Sequence, residues 1–354
     1  MKKGFNALVL LFVILGNLAA QDQGQDNTPV KDDAPVQFFS LQVIPGLDVF
    51  HPQFGKVTNI FLLAAIAGKG HNLMGASTAS IGMIHTGRVQ GLQFSGFFNF
   101  AAEDMDGAQI ASINNSARGL VRGVQIAGVY NYASGAFYGI QASGLINRID
   151  GDIWGIQFAP VNQRSEGDGI SVQVGLVNFS DSGNVIPIGI VNNVKGGMKH
   201  FSVFMDDMMF LNAGYRSGSR IFYTHSSYGM SNGAINHSKK NDSLIVSRGG
   251  FGFEFPIDKF FIDVDFSRGN ILSVNSPDDW WKFFLGSNTT IIQLRLIAGY
   301  KLYERFGFFA GISYDYLRQN RNSDPAPSDF CGSMPANLRG KEAHKMGLFG
   351  GLQF

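Results

Sequence analysis

The chain has one cysteine in 354 residues, Cys331, so no intrachain disulfide can form, and a lone thiol is assigned no role. Charge is also scarce. Asp, Glu, Lys and Arg make up 16% of the sequence, against roughly a quarter in an ordinary soluble domain. The formal net charge is +1, without the basic footprint that phosphate binding demands, so no nucleic-acid partner is expected. No apolar run reaches the roughly 18 residues that a membrane-crossing helix needs, which excludes a helical-bundle membrane protein. Metal-ligand spacings, a phosphate loop and a dinucleotide fingerprint are missing too, and no cofactor is expected.

What the chain does hold is glycine, phenylalanine and a repeated phrase. There are 45 Gly and 32 Phe. Between about Gly75 and Val194, glycine or a small substitute recurs at Gly75, Gly91, Gly107, Gly123, Gly139, Gly155 and Ser171, in steps of 16. Glutamine recurs in the same step at Gln93, Gln109, Gln125, Gln141, Gln157 and Gln173. Asparagine closes the phrases at Asn99, Asn115, Asn131, Asn147, Asn162, Asn178 and Asn193, in steps of 15 or 16. A fixed short period signals one structural unit written many times.

The phrase alternates with period 2. From Gly123 to Tyr132, Val124, Ile126, Tyr130 and Tyr132 fall on one side, and Gly123, Gln125, Ala127 and Asn131 on the other. That is strand patterning, with one face aliphatic and aromatic and the other small and polar. Charged residues such as Arg88, Glu103, Asp104, Asp106, Arg118 and Arg122 stand between the phrases. Uncharged strands of about 9 to 10 residues separated by polar turns suit a transmembrane β-barrel, which must close on itself because hydrocarbon satisfies no backbone polar group. A β-solenoid is the competing architecture. Its coils would stack Gln125, Gln141 and Gln157 into a ladder.

The flanks favour the membrane. Lys2 and Lys3, an apolar run from Ala7 to Leu15, and Ala19 and Ala20 follow the order of a secretory signal peptide, with cleavage expected near Ala20. Residues 21–35 read as a flexible polar leader. Strands are expected at Val36–Ile44 and Thr58–Ala67, and, after the repeats, at Phe201–Met205, Met208–Tyr215, Arg220–Tyr228, Arg248–Phe255, Phe260–Phe266, Ile291–Tyr300 and Phe306–Tyr316. The connections between the later strands alternate between short (256–259, 301–305) and long and polar (229–247, 269–290, 318–343), as the two rims of an outer-membrane barrel do. Within the second long one, Asp278 to Phe284 carries Trp280 and Trp281 and reads as an aromatic interface anchor. The chain ends KMGLFGGLQF, and a last strand finishing in Phe354 resembles the assembly signal of bacterial outer-membrane proteins.

The phrases GVQIAGVYN and GIQASGLIN, followed by VGLVNFSDSGNVIPIGIVNNVKGG from Val174 to Gly197, resemble the surface-repeat outer-membrane family of Bacteroidetes and Leptospira. The similarity covers about Val36 to Tyr228. It implies location and architecture and brings no catalytic residues.

The expected fold is therefore all-β: residues 36–354 as one antiparallel transmembrane barrel of roughly 16 to 18 strands, containing the repeats of 75–194. The alternative is a β-solenoid followed by a small C-terminal barrel. In the barrel reading Gln93, Gln109, Gln125, Gln141, Gln157, Gln173, Asn99, Asn115, Asn131 and Asn147 line a polar lumen, and Ile126, Ile140 and Tyr130 face lipid. No enzyme is expected. His225 stands beside Ser226 and Ser227 in an expected strand, and adjacent strand residues point to opposite faces. Asp206 and Asp207, and Asp263 and Asp265, read as rim or lumen charges. A passive, weakly selective channel is one functional expectation, and a plugged surface-exposed structural or adhesive protein acting through long loops is the other. Outer-membrane lipid and the outer-membrane assembly machinery are the implied partners; no solute or extracellular partner is named by the sequence.

Overall fold

The computed structural model describes residues 34–45, 47, 49, 56–165, 167–231, 244–273, 289–303, 306–319 and 342–354. The signal peptide, most of the polar leader, the Trp280–Trp281 segment and Cys331 lie outside the described residues. The chain divides into two compact units, Met1–Ser171 and Val172–Phe354.

In the first unit each phrase forms one coil of a solenoid. Val121–Ala127 is a strand, 128–129 a corner, Tyr130–Ala133 a second strand, and the next coil begins at Phe137. The longer strands, from Val36–Gln42 through Val89–Ser95, Met105–Ala111 and Val121–Ala127 to Phe137–Ser143 and Ile153–Phe158, stack in chain order as one parallel sheet. The shorter strands, from Ala67–Gly70 through Phe98–Ala101 and Tyr130–Ala133 to Val161–Arg164, form the other. Register follows the sequence period: Gly123 lies beside Gly107 and Gly139, Gln125 beside Gln109 and Gln141, and Asn131 beside Asn115 and Asn147.

The single barrel of roughly 16 to 18 strands is thus replaced by its alternative, a solenoid followed by a closed barrel of eight strands. Period-2 alternation is common to both. What separates them is the corner inside the phrase. At Gly128 the corner lies so close on the preceding coil that a Cβ would overlap the Ser112 carbonyl oxygen. A phrase read as one long strand is therefore two short ones. Asp106 and Arg122 also lie within strands rather than between phrases, and pair across adjacent coils at 3.1 Å.

Inside the solenoid, one end of each coil is apolar. Leu73, Val89, Met105, Val121, Phe137 and Ile153 stack beside Ala101, Ala117, Ala133 and Ile149, all almost fully buried. Burial of each large side chain contributes about 1.5–3 kcal/mol. Outward, the long-strand sheet carries three register columns: Met74, Gln90, Asp106, Arg122, Tyr138 and Trp154 form a mixed one, and two more are apolar. One runs Phe61, Ala76, Leu92, Ala108, Val124, Ile140 and Ile156; the other runs Leu63, Thr78, Phe94, Ile110, Ile126, Ala142 and Phe158.

In the second unit Val177–Ser180 and Val191–Val194 continue the coil pattern as a parallel pair. The barrel follows, from Met198–Asp206, Leu211–Gly218, Phe222–Met230, Leu244–Ile257, Phe260–Ser273, Thr289–Lys301, Gly307–Gln319 and Glu342–Gln353. All pairs are antiparallel, and the last strand closes on the first through Val203 and Leu352. The final coil sits at the rim of short turns: the Asn192 side chain donates to the Ser217 carbonyl at 3.1 Å and to Thr224 Oγ1 at 2.7 Å.

Candidate functional site

Two buried polar arrays stand out, one in each unit. In the solenoid the phrase glutamines and asparagines point inward, but into a closed, hydrogen-bonded core and not into a wet lumen. Gln93, Gln109, Gln125, Gln141, Gln157, Asn115, Asn131 and Asn147 are 0% exposed and Asn99 is 1%. Each glutamine Nε2 donates to the Oε1 of the glutamine one coil earlier: Gln109 to Gln93 at 2.6 Å, Gln125 to Gln109 at 2.7 Å, Gln141 to Gln125 at 2.7 Å. The asparagines donate the other way, Asn99 to Asn115 at 2.9 Å and Asn115 to Asn131 at 3.0 Å. Asn131 Nδ2 also donates to the carbonyls of Gln125 and Ala142, bracing the corner of its own coil and of the next. The amides are thereby satisfied without water, as burial of polar groups requires. In the second unit Gln173 is likewise fully buried and donates to the Phe179 carbonyl at 3.2 Å.

The glutamine ladder ends on His85. Gln93 Oε1 already accepts from Gln109, so Gln93 Nε2 donates to His85 Nδ1 at 2.7 Å, which leaves the imidazole proton on Nε2. Burial, helped by nearby His71, pushes the His85 pKa down from 6.5 to about 3. The unfolded chain therefore binds a proton between about pH 6.5 and pH 3 that the folded chain refuses. Stability from this group is complete above the upper value and falls on acidification, by up to about 1.4 kcal/mol per pH unit. A His85→Gln variant keeps an acceptor for Gln93 and removes the titration. Its urea midpoint should drop less than that of the parent between neutral pH and about pH 5; equal drops would show that His85 does not set the acid sensitivity.

Four coils further on, on the outer side of the short-strand sheet, Asp150 accepts hydrogen bonds from Arg148, Ser165 and Tyr132. Partial burial works against its ionisation, but those donors outweigh it and hold the carboxyl below the usual range.

The barrel is inside-out relative to a soluble one. Along Phe260–Ser273, Phe261, Asp263, Asp265 and Ser267 are buried inward, while Phe260, Ile262, Val264 and Phe266 are exposed outward. Three inward arginines are paired with carboxylates, while Asp315 accepts from Gln293 Nε2 at 2.6 Å and Ser313 Oγ at 3.1 Å. Arg295 donates to Asp265 through Nε at 2.8 Å and Nη2 at 2.9 Å, Arg216 pairs with Asp263, and Arg248 reaches Asp206 at 2.9 Å. Aromatic rings surround these cations: Arg216 lies 5.4 Å from the Tyr223 centroid and 5.8 Å from that of Phe309, and Arg295 lies 5.4 Å from Phe349. Cation–π attraction strengthens in such desolvated surroundings. Above this layer Met208, Met209, Leu244, Val246, Ile271, Ile291 and Leu317 form an apolar layer.

The void left among Ser202, Arg216, His225, Asp265 and Arg295 is about 20 Å³, room for about one water. Eight strands enclose an interior just wide enough for side chains to fill. The histidine and serine neighbours separate as strand geometry demands: His225 is buried inward, 3.8 Å from Asp265, and Ser226 lies on the opposite side. Asp207 reaches Lys345 at 2.8 Å.

Sequence reasoning singled out Asp206, Asp263 and Asp265 but missed Arg216, Arg248 and Arg295. Their signal was alternation, since each arginine falls on the inward set of its strand. Phe354 pairs with Phe201 through reciprocal backbone bonds of 2.8 and 3.0 Å and stands ring to ring with Phe306, its centroid 5.5 Å away.

Compared with family models, curated proteins and solved structures, the chain matches none. The parallel coils with their amide ladders define a repeat protein with a C-terminal barrel.

Proposed function

We propose that this is an outer-membrane structural protein in which a plugged eight-stranded barrel anchors a solenoid on one side of the membrane and long loops on the other. The observation that carries the reading is the inverted barrel: apolar side chains such as Val264, Leu294, Leu296 and Ile312 outside, ion pairs inside. In water that distribution is costly, whereas in lipid it is what a transmembrane barrel requires. The secretory pattern of the sequence, Lys2 and Lys3 before an apolar run and small residues, supports it.

Rim asymmetry assigns the sides. The connections 219–221, 258–259 and 302–306 share one rim, and 207–210, 231–243, 274–288 and 320–341 share the other. Outer-membrane barrels keep their short turns on the periplasmic side. The strand Val191–Val194 leads into Met198 at the short rim, so the chain before the barrel is assigned to the periplasm and the long connections to the outward, partner-facing or adhesive side.

The channel expectation depended on a lumen of roughly 16 to 18 strands. With eight strands and an interior occupied by ion pairs and aromatic rings, the plugged reading is preferred. Purified protein should change its gel mobility on boiling and should give no conductance steps in planar bilayers. Reproducible steps would overturn the plug, and recovery as a soluble periplasmic protein would overturn the anchor.

A further inference from the structure

We propose that the outer face of the long-strand sheet of the first unit rests on the acyl-chain boundary of the same membrane, so that the solenoid is a peripheral lipid-binding body. The proposal rests on the membrane reading of the barrel.

Two of the three outward columns of this sheet contain no charged residue, and Thr78 is their only polar side chain; the third, on the side away from the 128–129 corner, holds Gln90 and the Asp106–Arg122 pair beside Met74, Tyr138 and Trp154. Their large members stand open: Phe94 is 51% exposed, Ile126 44%, Phe158 43% and Ile140 40%. The adjoining corner adds a ridge that includes Phe97 and Leu145, 43% and 51% exposed. The other outer surfaces differ in kind. The short-strand sheet is mixed, with Lys69, Ile84, Phe100, Ser116, Tyr132 and Arg148 in one outward column and Phe98, Asn114, Tyr130 and Ile146 in the other, and the opposite corner carries Glu103, Asp104, Arg118 and Asp152. The coil stack is therefore amphipathic around its axis.

Seven strands from Thr58–Ala64 to Ile153–Phe158 contribute to the columns. At about 4.8 Å per strand they make a strip about 30 Å long and on the order of 400 Å² in area before the ridge is added. That already falls within the range of the largest apolar patch on a typical monomer, about 300–600 Å².

The chemistry of the strip selects hydrocarbon over a protein partner. Protein interfaces carry about one hydrogen bond per 100–200 Å², and these columns offer almost no donor or acceptor to set a register. A non-directional apolar solvent needs none. The sheet's backbone groups are already bonded to neighbouring coils, so laying the face on lipid leaves no N–H or C=O unsatisfied. Beside the strip, Tyr138 and Trp154 stack with centroids 4.9 Å apart, an aromatic pair of the kind that sits at headgroup level. A chain anchored by its barrel also holds this face near the bilayer at high effective concentration.

The test uses the full chain, with Cys331→Ser as background, reconstituted into phosphatidylcholine vesicles with or without brominated acyl chains. Single cysteines are introduced as Ile126→Cys on the strip, Ser116→Cys on the opposite sheet and Leu296→Cys on the barrel exterior, each labelled with an environment-sensitive fluorophore. Labels at 126 and 296 should shift to the blue and lose most of their emission in brominated lipid, while the label at 116 should not. Quenching at 296 but not at 126, with 126 open to an aqueous quencher, would overturn the proposal and leave the barrel anchor standing. A label at 126 that is shielded from both quenchers and shows energy transfer between copies would overturn it in favour of a second chain. Loss of quenching at both 126 and 296 would overturn the membrane reading itself.

Discussion

Replacing Asp265 by alanine should cost the barrel about 3–5 kcal/mol, the usual price of stranding a buried charge. Asp265 is 2% exposed and accepts two hydrogen bonds from Arg295, which is itself buried among Phe204 and Phe349. Without the carboxylate the guanidinium keeps its charge, because arginine does not deprotonate at any ordinary pH, and the small void beside it has room for about one water in place of two carboxylate bonds. The denaturant midpoint in detergent, followed by the compact band on gels, should fall steeply. The double variant Asp265→Leu with Arg295→Met removes both charges and should recover most of that loss, since an ion pair replaced by apolar groups is often neutral or better. An Asp265→Ala barrel that unfolds at the parent midpoint would show that the ion pairs fill the interior without holding it.

Gly123→Ala should be strongly damaging to the solenoid. Gly123 has φ +140°, as Gly91, Gly107 and Gly139 have values from 136° to 147°, a region that L residues rarely enter. A Cβ there would also overlap the carbonyl oxygen of Gly107, the register partner in the preceding coil. That oxygen cannot retreat without disturbing the sheet on both sides. Backbone strain of about 1–3 kcal/mol and a steric term of similar size give an expected loss of about 4 kcal/mol. Gly183→Ala is the control, since its Cβ would meet nothing nearer than 3.6 Å. Proteolytic nicking of coils near residue 123 in the first variant, and not in the second, is the result to look for.

Much of this was legible in the sequence for a physical reason. Parallel stacking in register places like on like, so the step of 16 residues that brings Gln125 to Gln141 in the sequence is the step that brings one amide to the next in space. The barrel strands were legible through alternation. Ile291–Tyr300 was expected and Thr289–Lys301 is found, because Leu294 and Leu296 alternate with Gln293 and Arg295. Two things were not legible. The corner at Gly128 is carried by a glycine that a long strand could also contain, so one phrase looked like one strand. The partners across the barrel are remote in sequence: Arg216 meets Asp263 47 residues on and Gln353 137 residues on. Alternation says that such charges face inward, but pairing waits on closure of the sheet.

The opposed senses of the two amide ladders bear on how long such a stack can be. Glutamine amides hand their protons toward earlier coils and asparagine amides toward later ones, so the side-chain dipoles of the two rows oppose each other and no electrostatic imbalance accumulates with length. Every interior coil offers the same sockets above and the same plugs below. A 16-residue block could be excised or duplicated there without orphaning a single amide, whereas losing one strand from the barrel would reopen its seam. Coil number can thus vary in whole blocks, whereas strand number in the barrel is fixed by closure.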